Sequence, residues 1–194
     1  MEPARLSATD LACRRGERLL FRGLSFELGA GEALQVAGPN GTGKSSLLRI
    51  LAGLLRPFAG TVAGNDGSSL LDERLALDGH LPLARALAFW SRIDGGGYGP
   101  GELERLGLDT LAEVPVRFLS TGQRKRAAIL VSGARNPRLW LLDEPLNGLD
   151  VDAAAQFQEQ VATYLAGGGI AVVASHQPFH VPGLTHLHLA DYAP

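Results

Sequence analysis

Within one short stretch, Gly38-Pro39-Asn40-Gly41-Thr42-Gly43-Lys44-Ser45 brings together three glycines, an ammonium group and a hydroxyl. The spacing Gly-x4-Gly-Lys-Ser suits one task, which is to cradle phosphate. Glycines let the main chain curl with no Cβ in the way, so successive N–H groups turn inward toward anionic oxygens. An apolar run over 34–37 precedes the stretch and a helical pattern follows from Lys44, so the start of a helix adds partial positive charge at the same place. Lys44 is positioned to reach the β- and γ-phosphates of a nucleotide. Ser45 is positioned to ligate Mg²⁺, and Ser46 continues the binding segment. Glycine-rich chains match such a pattern by chance now and then, but the strand–loop–helix context argues against chance here.

Leu139-Trp140-Leu141-Leu142-Asp143-Glu144-Pro145 runs from apolar residues straight into two acids. Carboxylates exposed at the carboxyl end of a buried strand lie where α/β sheets bind ligands. Asp143 is the candidate Mg²⁺ ligand, usually through water. Glu144 is the candidate general base for an attacking water. Acid pairs after apolar strands are common, so the functional reading rests on the phosphate loop upstream. Three further short segments stand in fixed order around them: Leu119-Ser120-Thr121-Gly122-Gln123, Leu146-Asn147-Gly148-Leu149-Asp150 and Ala174-Ser175-His176-Gln177.

The elements that must hold these residues follow from apolar spacing. Strands are expected over 6–13, 24–28 and 33–37, then a helix over 44–51 that ends before Arg56-Pro57 and Gly60. A short strand fits 61–63. Residues 83–111 read as an interrupted helical region, with Leu83, Ala86, Leu87 and Trp90 at helical spacing. The glycine-rich stretch 95–101 breaks it and reads as a flexible loop, too short to separate independent domains. A helix over 122–134, a buried strand over 138–142, an amphipathic helix over 151–165, a strand over 170–174 and a last short strand near 186–189 complete the chain. Apolar strands alternating with helices predict an α/β fold with a mainly parallel sheet.

Composition bounds the possibilities. The 194 residues make one domain by length, with a normal 45% of hydrophobic residues, which argues against a disordered chain. The net charge of −2 lacks the basic excess of a nucleic-acid footprint, so no nucleic-acid partner is expected. Cys13 is the one cysteine, so an internal disulfide and a multi-thiolate metal site are both excluded. The first residues show no signal peptide, and no run approaches a membrane span of ~18 apolar residues. Any action at a membrane is therefore expected to pass through a partner. The 25 glycines exceed the usual share of about 7%, and they divide between motifs and connecting turns.

Taken together, the phosphate loop, the Leu119–Gln123 stretch, the Asp143-Glu144 strand, the segment ending in Asp150 and the His176 loop resemble the ATP-binding-cassette ATPases. The usual signature is Leu-Ser-Gly-Gly-Gln, and Thr121 departs from it at one tolerated position. The motifs occur in the family's order over nearly the whole chain. The resemblance implies a P-loop NTPase fold of the ABC type: a mainly parallel core sheet, an antiparallel β subdomain, and a small helical subdomain over roughly 80–135, all in a single ATP-binding domain spanning 1–194. It implies ATP and Mg²⁺ as cofactors and a head-to-tail homodimer with two ATP molecules between the copies. In that arrangement Ser120, Gly122 and Gln123 of one copy face the γ-phosphate held by the other, Asp150 is the D-loop aspartate, and His176 contacts the γ-phosphate. Lys44, Glu144 and His176 are the catalytic set.

Some positions depart from the family or have a bland reading. The family carries a glutamine that touches the metal and the attacking water at the start of the helical lobe. Here Asp78-Gly79-His80-Leu81-Pro82 matches, and Leu81 stands where that glutamine is expected; leucine cannot ligate a metal. A shifted register, a role for His80 or a water, and weakened coupling are the open explanations, and a glutamine at 81 is expected to leave activity equal or higher. The adenine-stacking aromatic is replaced by Arg15, which can stack on a purine or be a solvated surface residue. His186 and His188 read as the wet face of a terminal strand. Arg124-Lys125-Arg126 reads as a solvated helix face that could also attract nucleotide.

Within the family, the details resemble the ATP-binding subunits of the haem exporter used in bacterial cytochrome c biogenesis. The matching residues are Leu19-Leu20-Phe21-Arg22-Gly23-Leu24-Ser25-Phe26, Gly79-His80-x-Pro82, Asp150-Val151-Asp152 and Ser175-His176-Gln177-Pro178. The resemblance implies peripheral association with the cytoplasmic face of the bacterial inner membrane and partnership with separate integral membrane permease subunits of haem-exporter type. It leaves open whether haem itself moves or ATP releases a haem-loaded chaperone. The alternatives are a cassette ATPase for another substrate and a soluble, non-transport cassette ATPase. The second kind usually carries coiled-coil insertions or tandem cassettes, and the sequence has neither.

Overall fold

Strand residues alternate between two apolar faces, and this builds the molecule. In the strand Leu139–Asp143, Leu139 and Leu141 join one buried cluster while Trp140 and Leu142 join another. In Ile170–Ala174, Ile170, Val172 and Ala174 face the first cluster, and Ala171 and Val173 face the second. Strands buried on both faces read as continuous apolar runs, which is why the sequence exposes them so clearly.

The computed structural model describes residues 5–72, 76–94, 98, 100–134 and 136–194. The glycine-rich stretch expected to be a flexible loop lies largely outside the described residues. The strands are β1 (Arg5–Arg15), β2 (Arg18–Gly29), β3 (Ala33–Ala37), β4 (Ala59–Ala63), β5 (Ser68–Leu71), β6 (Leu139–Asp143), β7 (Ile170–Ala174) and β8 (Leu184–His188). The helices are α1 (Lys44–Leu51), α2 (Leu83–Asp94), α3 (Pro100–Arg105), α4 (Thr121–Gly133) and α5 (Val151–Ala166). Five strands form a parallel sheet in the order β5-β6-β7-β3-β8, and β2-β1-β4 form an antiparallel sheet.

The first cluster lies between the two sheets around α1, with Phe21, Leu47, Leu48 and Leu51 fully buried. The second packs Phe157, Val161 and Leu165 of α5 against the opposite sheet face, with Trp140 edge-on to Phe157 and Tyr164. A third joins Leu83, Ala86 and Leu87 of α2 to Val116, Leu119, Ala127 and Leu130, the core of the helical subdomain. Helix α4 serves two clusters at once, since Ala127 and Leu130 face the third while Ala128 and Ile129 face the second.

The structure extends the sequence reading at several points. The first two strands are longer than expected and meet in a hairpin at Gly16, whose φ of 58° is the left-handed value that glycine takes without strain. β5 was not read as a strand; of its four residues only Leu71 is buried, so it carries no apolar pattern. Helix α4 starts one residue earlier than expected. The Arg124-Lys125-Arg126 face is not simply solvated, because Lys125 is buried at 6% exposure. His186 and His188 are exposed on β8.

Candidate nucleotide site

The parallel sheet delivers the phosphate loop at the end of β3. Gly38, Gly41 and Gly43 take φ values of 150°, 81° and 109°. At Gly38 a Cβ would come within 3.1 Å of the Thr42 hydroxyl, and at Gly43 within 3.2 Å of Leu20 and Phe21, so the curl depends on glycine in both conformation and space. Thr42 closes the loop by donating its hydroxyl to the Pro39 carbonyl at 2.9 Å. Helix α1 then starts with no side-chain cap, which leaves its first N–H groups to an incoming anion. Lys44, 7% exposed, folds back over the loop and donates to the Gly38 carbonyl at 2.8 Å.

A cavity of about 660 Å³ opens over this loop. Gly38, Pro39, Asn40, Gly41, Gly43, Lys44, Ser45 and Ser46 line one side, and Glu144, Asn147 and His176 line the other. Four separate motifs therefore meet on one space. Asp143, at the end of β6, is buried at 3% and is not part of the lining. Leu20 lines the cavity as well and was not singled out as a site residue; an apolar residue in a hairpin strand carries no chemical signal.

Glu144 follows β6 with φ at 44°, in the left-handed region. Such a conformation costs a non-glycine residue about 1–3 kcal/mol, and it persists where the surroundings over-determine it. Here they do. The Glu144 N–H donates to the Ala174 carbonyl at 2.8 Å. Its own carbonyl accepts from Asn147 N–H at 3.3 Å and from the buried Lys125 ammonium at 2.9 Å. The side chain turns to the loop after β7, where Oε2 lies 2.8 Å from Nδ1 of His176.

That loop is itself fastened. Gln35, buried in β3, donates its amide to the Gln177 carbonyl at 2.9 Å, and the Ser175 hydroxyl accepts from Gln177 N–H at 3.0 Å. The Gln177 amide donates in turn to Asn147 Oδ1 at 3.0 Å. Asn147 thus joins the His176 loop to the turn after Glu144. It appeared in the sequence only as a neighbour of Asp150, and short polar turn residues of this kind rarely declare such a link.

Ser120, Gly122 and Gln123 lie outside this cavity. Ser120 caps α4 by accepting from Gln123 N–H at 3.2 Å, and the Gln123 side chain accepts from Ser120 N–H at 2.8 Å, a reciprocal capping box. The segment packs on the turn before α5, since a Cβ on Gly122 would lie 2.8 Å from the Gly148 carbonyl. Asp150 caps α5, accepting from Ala153 N–H at 2.8 Å. Arg15 sits exposed at the end of β1 and does not line the cavity. Leu81 packs against the helical cluster, and its carbonyl accepts from Val116 N–H at 3.0 Å. His80 turns outward, with its Nδ1 3.1 Å from the Arg117 guanidinium. Neither residue lines the cavity.

Comparison with known proteins gives three findings. The sequence pattern of the ABC transporter family matches residues 21–85 and 102–147, more than half of the chain. The chain is 56% identical to the cytochrome c biogenesis ATP-binding export protein CcmA of Novosphingobium aromaticivorans over 194 residues, covering 100% of both. It is 49% identical to the protein of the same name from Sphingopyxis alaskensis, over 94% of this chain and 95% of that one. It is 46% identical to that from Zymomonas mobilis, over 97% and 86%. Among solved structures, an ABC transporter ATP-binding protein from Pyrococcus furiosus superposes with a TM-score of 0.82 at 18% identity, covering 98% of this chain and 100% of that one. An ATP-binding subunit of an ABC transporter superposes at 0.76 with 21% identity, over 95% and 86%; these two bear on the fold alone.

Proposed function

The chain belongs to the ABC transporter ATP-binding proteins, and from that premise we propose that it is the ATP-hydrolysing subunit of the haem exporter of cytochrome c biogenesis. ATP is its substrate. The observation that carries the reading is the meeting of the phosphate loop, Glu144 and His176 on one cavity, while Ser120 and Gly122 stand outside it. The names of the relatives from Novosphingobium, Sphingopyxis and Zymomonas support the assignment to cytochrome c biogenesis.

The loop N–H groups and Lys44 bind the phosphates, and the Lys44 ammonium exchanges its loop carbonyls for phosphate oxygens as nucleotide enters. The Ser45 hydroxyl and the Asp143 carboxylate are hard oxygen donors of the kind Mg²⁺ takes, and the ion would neutralise phosphate charge there. Glu144 accepts the proton of the attacking water. His176, with its side chain 57% exposed, swings between Glu144 and the γ-phosphate. Ser120 and the Gly122 N–H of a second copy complete the site across a head-to-tail interface, together with that copy's Gln123 and Asp150. Because these contacts bridge two copies only while the γ-phosphate is present, ATP favours the closed dimer and hydrolysis loosens it. Arg15, exposed at the end of β1, is the residue that would stack on the adenine.

Among the described residues no helix is long and apolar enough to cross a membrane. The work is delivered to separate permease subunits, with the ATPase docked peripherally on the cytoplasmic face of the inner membrane. Restoring a strain that lacks this gene tests the reading. The intact gene should restore haem-stained c-type cytochromes, and the Lys44→Ala version should not. Full restoration by Lys44→Ala, or cytochrome assembly untouched by the deletion, would overturn it.

A further inference from the structure

Among the described residues, Lys125 is the buried cation that the nucleotide chemistry does not use. It stands one turn into α4, the helix that begins at the Ser120 capping box, and it is 6% exposed. Burial of an ammonium is costly and needs compensation by close acceptors. Its Nζ donates at 2.9 Å to the main-chain carbonyl of Glu144, the residue held at a φ of 44°. That carbonyl also accepts from Asn147 N–H at 3.3 Å. A charge-assisted bond to this oxygen fixes the peptide that follows Glu144 and, with it, the direction in which the Glu144 side chain leaves the chain. The same cation therefore ties the helix carrying Ser120 and Gly122 to the carboxylate facing the attacking water.

We propose that Lys125 is a positioning residue for hydrolysis: it holds Glu144 at the cavity and couples the placement of Glu144 to the position of α4. This rests on the reading of Glu144 as general base. When Ser120 and Gly122 engage a γ-phosphate across the dimer, the shift of α4 is passed through Lys125 to Glu144 of the same copy. A base displaced by an ångström loses on the order of 100-fold in rate without any loss of substrate affinity.

The test uses the full chain and four proteins: wild type, Lys125→Met, Lys125→Arg and Glu144→Gln, together with the Lys125→Met/Glu144→Gln double variant. The expected result for Lys125→Met is a fall in kcat of about 10- to 100-fold with ATP affinity within about twofold of wild type. Lys125→Arg, which keeps a cationic donor, should recover most of the rate. In the Glu144→Gln background Lys125→Met should add nothing further, because both act through one group. Unchanged kcat in Lys125→Met overturns the proposal. So do losses that multiply in the double variant, and so does loss of ATP affinity or folding in both Lys125 variants, which would make the lysine a framework residue. If Glu144→Gln itself turns over normally, the base reading fails; a slow Glu144→Gln beside a normal Lys125→Met condemns the lysine alone.

Discussion

Glu144 Oε2 lies 2.8 Å from His176 Nδ1, so the acid just after β6 and the histidine after β7 form one unit at the cavity wall. A carboxylate only accepts, which assigns the proton of this contact to Nδ1 and leaves Nε2 directed elsewhere. The two side chains differ sharply in exposure: Glu144 is 9% exposed and His176 57%. The carboxylate is the enclosed member and the imidazole the exposed one.

The two should therefore fail differently. Glu144→Gln removes the base and leaves the cavity shape, so kcat should fall by about 10²- to 10⁴-fold while ATP still binds. This variant should accumulate as an ATP-bound dimer on size-exclusion chromatography. His176→Ala should also lower kcat, by about 10- to 1,000-fold through loss of a γ-phosphate contact, but with weaker dimer retention in ATP. A monomeric Glu144→Gln in saturating ATP would count against the division of labour.

Gly148 is another place where conformation and space coincide. Its φ is 84°, and a Cβ there would lie 2.9 Å from Thr121 Cγ2. Gly148→Ala should cost about 1–3 kcal/mol from the left-handed backbone and displace Thr121, next to Ser120. The expected outcome is a Tm lowered by several degrees, together with a loss of ATP-induced dimer larger than the loss of ATP affinity. An alanine variant that dimerises as wild type would show that Thr121 gives way freely.

Legibility followed burial and chemistry. β3, β6 and β7 are buried on both faces, so they stand out as apolar runs, and the phosphate loop and Asp143-Glu144 sit at their ends. β5 was invisible because Ser68 and Ser69 bring no pattern, and its place in the sheet is set by backbone pairing to β6. Lys125 looked like a surface charge because sequence cannot show that its four-carbon stem runs inward to a carbonyl. Gln35 was silent, and Gln177 showed only as part of the His176 loop, for a similar reason: their amides meet a main-chain oxygen and Asn147 only after β3 and β7 pair. The helical spacing over 83–94 was readable, but the helical cluster that fixes Leu81 comes from residues far apart in the chain.

Tyr164 supplies a pH test of the second cluster. Its hydroxyl donates to the Ile170 carbonyl at 2.9 Å and accepts from Ile170 N–H at 3.1 Å, tying α5 to the start of β7. Burial pushes its phenol up to about 12 from an ordinary 10. Below pH 10 the phenol is neutral whether the chain is folded or not, and its full contribution is present. Between about 10 and 12 the unfolded chain loses the proton first, so folding stability falls as pH rises through that window. Tyr164→Phe should be less stable at neutral pH and should show a shallower decline across the alkaline window in urea unfolding. Parallel declines for the two proteins would remove Tyr164 as the cause.

Leu81 gives the sharpest contrast between the motif and its surroundings. From the family pattern alone, a glutamine there was expected to leave ATPase activity equal or higher. In the structure the Leu81 side chain packs against the cluster of Leu83, Val116 and Leu119, and its main chain is bonded to Val116 and Asp78. An amide placed in that cluster loses water and costs about 1–3 kcal/mol unless it finds a partner. Leu81→Gln should therefore lower Tm by several degrees and bring no gain in kcat, because the side chain at 81 does not line the nucleotide cavity. A steady-state ATPase assay alongside thermal unfolding decides between the two. A higher kcat at unchanged Tm would mean that the segment 78–82 swings toward the phosphates during turnover and that a glutamine at 81 reaches them.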